Sequence, residues 1–115
     1  MRTIKFRAWD KNEREMFDWI SIRPNLPIST LNEKDGAYEW MQFTGRTGKN
    51  GKEIYEGDIV ENNGTRWEIY WHDINACYCM VVCGKERSTN NPLFIGEAEH
   101  SEVIGNIYEN PELLN

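Results

Sequence analysis

Cys77, Cys79 and Cys83, together with His72 and His100, are the residues whose types most readily do chemistry here. On an extended segment, alternation places all three cysteines on one face, with Val81 between Cys79 and Cys83. Such a set invites zinc. Structural zinc sites, however, usually take their cysteines from knuckles on turns, and a free cysteine is among the residues most often buried. The expectation is three reduced cysteines packed in a core, without metal. A cysteine nucleophile needs a nearby base and an electropositive setting. His72 lies five residues from Cys77 across a turn, but nothing else completes a constellation.

A second group is basic. Residues 41–52 hold Arg46, Lys49 and Lys52 without a single acid, in a chain with 13 basic and 19 acidic residues and a net charge of −6. Glycines beside lysines invite comparison with a phosphate loop, which needs a second glycine five residues after the first, then Lys and Ser/Thr opening a helix. Five residues after Gly45 stands Asn50, and Glu53 occupies the hydroxyl's place. The comparison fails. Glu53, Glu56 and Asp58 form the densest carboxylate group nearby, and carboxylate pairs can serve as acid and base. Acids flanking Gly57 are also ordinary turn residues, and that is the reading adopted.

Aromatic residues form the third group. Trp9, Trp40, Trp67, Trp71, Tyr55 and Tyr70 could stack bases beside the basic turn, as small β-barrels that bind single strands do. Trp67 and Trp71 share a strand face with Ile69, which assigns them to a core. Tyr70 falls on the opposite face with Arg66 and is expected to be exposed. The candidate binding surface is therefore Arg46, Lys49, Lys52, Arg66 and Tyr70, with no catalytic residue, metal or cofactor expected.

The elements that must position these groups are mostly strands. Thr3–Trp9 alternates, with Ile4, Phe6 and Ala8 on one face and Lys5, Arg7 and Trp9 on the other. Glu15–Ile20 can return as its hairpin partner, with a short helix over Glu13–Trp19 as the alternative. Ser21–Gly36, with Pro24 and Pro27, reads as a connector. A strand ends near Thr44, and Asn50-Gly51 and Asn63-Gly64 are strong hairpin turns because both residue types tolerate positive φ. Residues 65–72 form the next strand. Cys77–Cys83 is nearly all apolar, as in a strand buried on both faces. Gly84–Pro92 reads as a polar loop, followed by a short strand at Leu93–Ile95 and a helical turn over Glu97–Glu102. Val103–Tyr108 is the last strand, and Asn110 caps a short C-terminal helix with Pro111 at its first position. Five or six short strands joined by tight turns suit a mainly β, SH3-like antiparallel barrel or roll. An N-terminal hairpin and connector occupy residues 1–37, and the barrel core with its terminal helix occupies 38–115, in a single domain.

Composition bounds the function. The acidic balance argues against a general DNA-coating role, which wants a basic face. No apolar run approaches the ~20 residues of a membrane span, and an odd cysteine count fits a reducing, cytoplasmic setting. Charge is uneven. Residues 1–9 carry Arg2, Lys5 and Arg7, whereas 96–115 carry Glu97, Glu99, Glu102, Glu109 and Glu112 with no Lys or Arg. The ends should meet, within one subunit or across an interface. Aromatic content and exposed strand edges lead to an expected homo-oligomer.

Three stretches resemble the YopX family of phages and prophages. They are the opening Ile4-Lys5-Phe6-Arg7-Ala8-Trp9-Asp10, the central Met41–Gly45 with Asn50–Val60, and the closing Glu102–Pro111. Their order and span cover nearly the whole chain. The resemblance implies a mainly β fold with an SH3-like barrel core, short flanking helices, and phage or prophage origin. It brings no activity and no site residue. The function expected is thus a non-enzymatic accessory protein that binds a host or phage protein, or itself. The alternative is a nucleic-acid-binding barrel using the basic turn and exposed aromatics.

Overall fold

The computed structural model describes residues 3–22, 24, 37–87 and 93–115, apart from the Glu97 side chain. Most of the 21–36 connector and of the 84–92 loop lies outside the described residues. The architecture is mainly β. One antiparallel sheet has the order β2-β1-β3-β4 and the other β8-β7-β6-β5-β9, and together they curl into a half-open roll. In the first sheet β1 is Phe6–Asp10, β2 Glu15–Phe17, β3 Tyr38–Thr47 and β4 Glu53–Tyr55. In the second, β5 is Asp58–Asn62, β6 Thr65–His72, β7 Cys77–Val82, β8 Leu93–Phe94 and β9 Glu102–Asn106. One helical turn, α1 (Trp19–Ile22), follows β2, and 3₁₀ turns cover Ile95–His100 and Pro111–Leu114.

Turn chemistry sets this order. Asp10 closes the β1–β2 hairpin, its carboxylate accepting the amides of Asn12 and Glu13 at 2.9 and 3.0 Å. The hairpin joins the first sheet through β1, which pairs with β3 over five residues. Between Phe43 and Thr47 the register of β3 slips against β4. Gly45, with φ +89, sits in that bulge, and the Thr44 hydroxyl donates to the Ile54 carbonyl at 2.7 Å. Asn50-Gly51 turns β3 into β4, and Asn63-Gly64, with both residues at positive φ, turns β5 into β6.

Glu56 and Gly57 carry the chain from one sheet to the other. Gly57, at φ +86, donates to the Ile69 carbonyl at 2.8 Å and accepts the Ile107 amide at 2.9 Å. A β-carbon there would stand 3.3 Å from the Met41 sulfur, so both conformation and packing select glycine. Beyond the turn the core closes: Ile54 from β4 packs with Val60, Ile69, Met80 and Val103 of the second sheet, and with Ile95 and Ala98 of the 3₁₀ turn.

Several sequence expectations need correction. Trp71 is 42% exposed rather than core. It stands near the end of β6, past the core residues, and meets Tyr78 edge-on at 5.0 Å. Trp67 is half-buried and packs on the core as expected. Tyr70, expected to be exposed, is only 4% accessible. It pairs across the ladder with buried Cys79 and lies beneath the Arg87 guanidinium. Local alternation separates the two faces of β6 but leaves open that both are covered. β2 and α1 share the segment for which hairpin and helix were alternatives. At the C-terminus Asn110 makes no side-chain cap, because its Oδ1 accepts the Asn106 amide instead, at 3.2 Å.

Candidate functional site

A cleft of about 860 Å³ opens between the N-terminal hairpin and the β5–β9 edge of the second sheet. Its floor is a buried ion pair. Arg7, on β1, donates through Nη2 to Asp58 Oδ1 at 2.5 Å, and the carboxylate's other oxygen accepts the Tyr55 amide at 2.8 Å. The Tyr55 ring lies 4.8 Å from the guanidinium carbon, and Arg7 Nε points to the Met41 sulfur. Asp58 is effectively inaccessible. Burial pushes its carboxyl above the usual carboxylate range, with Arg7 and the Tyr55 amide pulling partway back. Burial also pushes the Tyr55 hydroxyl up, and Glu53 adds to this.

The walls are acidic. Lys5 pairs with Glu53 and lies 4.8 Å over the Phe43 ring. With that pair and Arg7–Asp58 counted as neutral, Glu15, Asp18 and Glu109 share the lining with Lys52. The Ser21 hydroxyl and amide hold Asp18 below its ordinary value, so it stays anionic. Phe6 meets Trp19 at 6.0 Å, which docks α1 on β1 and fixes that wall. On the opposite wall Asn106 shapes the turn after β9, its Oδ1 accepting the amides of Tyr108 and Glu109 while its Nδ2 donates to Glu109 Oε1. Gly105 permits this turn, since a β-carbon there would meet Asn110 Oδ1 at 2.5 Å.

The three carboxylates that sequence reading grouped as turn residues have separate tasks. Glu53 pairs with Lys5, Asp58 with Arg7, and Glu56 Oε1 accepts the Gln42 amide at 2.8 Å. The buried Arg7–Asp58 pair was not foreseen. Its one sequence signal was the basic stripe Lys5 and Arg7 on an otherwise apolar strand.

The expected binding residues are distributed. Arg46, Lys49 and Lys52 stand on the β3–β4 hairpin, and Arg66 on the other sheet, reaching toward the Asn115 carbonyl at 3.4 Å. Arg46 is paired with Glu99 at 2.8 Å, and the Lys49 amide donates to the Ser101 carbonyl at 2.9 Å. The hairpin rests so close to Ser101 that a β-carbon on Gly48 would lie 2.8 Å from its carbonyl. The basic turn and the acidic C-terminal region thus meet within one chain. Lys52 lines the acidic cleft, and Tyr70 is buried.

The cysteines are free thiols, Cys79 buried and Cys77 and Cys83 half-buried. Cys77 Sγ and Cys79 Sγ are 3.7 Å apart, confirming the shared face. Burial and the neighbouring Cys77 push Cys79 up to about 11, so it is a thiol rather than a nucleophile at neutral pH. His72 is buried, and its Nδ1 accepts the Asn75 amide at 3.1 Å. Among the described residues no three His, Cys, Asp or Glu side chains converge as metal ligands, and no helix is long and apolar enough to cross a membrane.

The crystal structure of protein EF1440 from Enterococcus faecalis matches with a TM-score of 0.66 and 28% identity over 100% of both chains. No curated protein matches. The family model described as YopX protein matches residues 5–115. With the two-sheet β roll and three signature stretches in order, that match over nearly the whole chain places this protein in the YopX family.

Proposed function

We propose that this chain is a non-enzymatic binding module whose cleft receives a basic segment of a partner protein. The observation that carries this reading is the cleft itself: a large recess with a rigid ion-paired floor and walls in net acidic excess. Electrostatic complementarity of this kind steers and orients a partner. Glu15 and Asp18 are the residues to test, because both lie on the hairpin wall and neither holds the core together. In a titration with labelled oligolysine at low salt, the wild-type chain should bind saturably. Glu15→Lys with Asp18→Lys should weaken binding by about tenfold or more, as expected for two rim charges reversed in a recess, with thermal unfolding lowered only by the few degrees that losing Asp18's cap on the Ser21 amide costs, about 1 kcal/mol. Equal binding by both proteins removes the reading.

Nucleic acid is the less supported partner. Arg46 already pairs with Glu99, Lys52 shares its cleft lining with acids, and Arg66 stands apart from the hairpin. Phage or prophage origin, an SH3-like relationship of the roll and a cytoplasmic setting remain parts of the proposal, resting on the signature stretches and the odd cysteine count.

Self-association is also proposed, on a footing different from charge pairing. The edge strand β8 leaves Leu93 44% and Phe94 57% exposed, and a second copy along that edge would cover them. Light scattering at micromolar concentration should give an oligomer mass that persists at moderate salt. A monomer mass at both low and moderate salt removes this part.

A further inference from the structure

A second recess, about 160 Å³, lies at the seam where Gly57 joins the two sheets. Trp40 of β3, Tyr70 and Trp71 of β6, and Tyr108 beyond β9 line it, with the carboxylates of Glu56 and Glu68. The chain already places one cation on this wall. The Arg87 guanidinium lies 4.6 Å over the Tyr70 ring and pairs with Glu68 at 2.7 Å. Arg87 neutralises Glu68 but leaves Glu56. That carboxylate uses one oxygen for the Gln42 amide and makes no ion pair among the described residues. Burial pushes its carboxyl up, with the Gln42 amide and Arg7 pulling partway back, and at Tyr108 burial and then Glu39, Glu56 and Glu68 push the hydroxyl up against Arg7, which marks negative potential at that hydroxyl.

Aromatic walls beside a carboxylate that no ion pair engages are the chemistry that recognises an organic cation. The type of cation follows from the acceptors. A guanidinium carries five donors and needs several oxygens in its plane, whereas here Glu68 already holds Arg87, Glu56 gives one oxygen to the Gln42 amide, and the other lining residues are aromatic or apolar apart from Gly57. A compact alkylated ammonium, with few donors and an apolar shell, matches that supply. We propose that the seam recess binds an alkylammonium group among Trp40, Trp71 and Tyr108, with Glu56 as its counter-ion. The site is distinct from the acidic cleft and does not depend on the function proposed for it.

Choline and 3,3-dimethylbutan-1-ol have the same shape and differ in charge, which makes them the test. In ¹H–¹⁵N spectra, choline should shift the indole signals of Trp40 and Trp71 saturably, and the neutral isostere should not. Glu56→Gln keeps an oxygen for the Gln42 amide, so it should fold as wild type and bind choline roughly tenfold or more weakly, the range for a lost charge-assisted contact. Trp71→Ala, on an exposed ring, should weaken binding by about tenfold. The Glu15→Lys, Asp18→Lys protein should keep the choline shifts, which separates this site from the cleft. A trimethyllysine peptide bound more tightly than choline identifies a protein side chain as the source; choline bound as well or better identifies a free small molecule. Equal shifts with the neutral isostere, or unchanged affinity in Glu56→Gln, overturn the proposal.

Discussion

Replacing Asp58 with alanine is expected to remove about 3–5 kcal/mol of stability, the loss typical when one partner of a buried ion pair is deleted. Two groups would be stranded together: the Arg7 guanidinium, only 14% exposed in its side chain, and the Tyr55 amide. Against a total of roughly 5–15 kcal/mol for a domain, this loss decides whether the chain stays folded at growth temperature. Urea unfolding measures it directly. The converse variant, Arg7→Met, carries a distinct pH signature. Burial already raises the Asp58 carboxyl, with Arg7 opposing that rise, so removing Arg7 raises it further. The folded state then holds a proton that the unfolded state has released. Stability must fall as pH rises from the ordinary carboxylate value, about 4, through the raised one. The destabilisation relative to wild type should be smallest in acid and grow toward neutrality. A difference that is constant with pH, or shrinks as pH rises, contradicts the assignment of this pair as the cleft floor.

Ile54→Ala is the second large effect, expected at about 2–5 kcal/mol. Ile54 is fully buried and is the one residue from β4 in the cluster that otherwise comes from the second sheet and the 95–100 turn. Its loss therefore opens a cavity at the joint between the sheets, where collapse is hindered by Gly57 and its two cross-sheet hydrogen bonds. Ile74→Ala, at a 76% exposed position, is the control and should fall within about 0.5 kcal/mol of wild type. Equal losses at both positions would mean that the two sheets do not share this core.

The contrast between those isoleucines bears on what was legible in the sequence. Asn50-Gly51 and Asn63-Gly64 reveal two hairpins because their chemistry is local: each turn needs positive φ, and few residues supply it. The alternation of 65–72 reveals a strand for the same reason. It cannot reveal that Tyr70 lies under Arg87, seventeen positions away, or that Trp71 overhangs the core. Arg7–Asp58 and Lys5–Glu53 join residues 51 and 48 positions apart, and a charge partner at that distance leaves no periodic trace. The candidate surface suffers most from this. Arg46, Lys49 and Lys52 look like a free basic patch until folding brings Glu99 beside Arg46 and carboxylates around Lys52. The YopX signatures, by contrast, mark the very stretches that build the structure: β1, the β3–β5 region and β9 with its following turn.

If folding turns this chain's binding surface acidic, as proposed, its partner is cationic rather than a nucleic acid. A side-by-side anisotropy titration of labelled oligolysine and labelled single-stranded DNA, in the same low-salt buffer, tests it most directly. Oligolysine should bind saturably and with salt sensitivity, that binding should be lost in the Glu15→Lys, Asp18→Lys protein, and the DNA should not bind. Saturable DNA binding that depends on Arg46, Lys49 and Lys52, with none to oligolysine, would contradict the proposal.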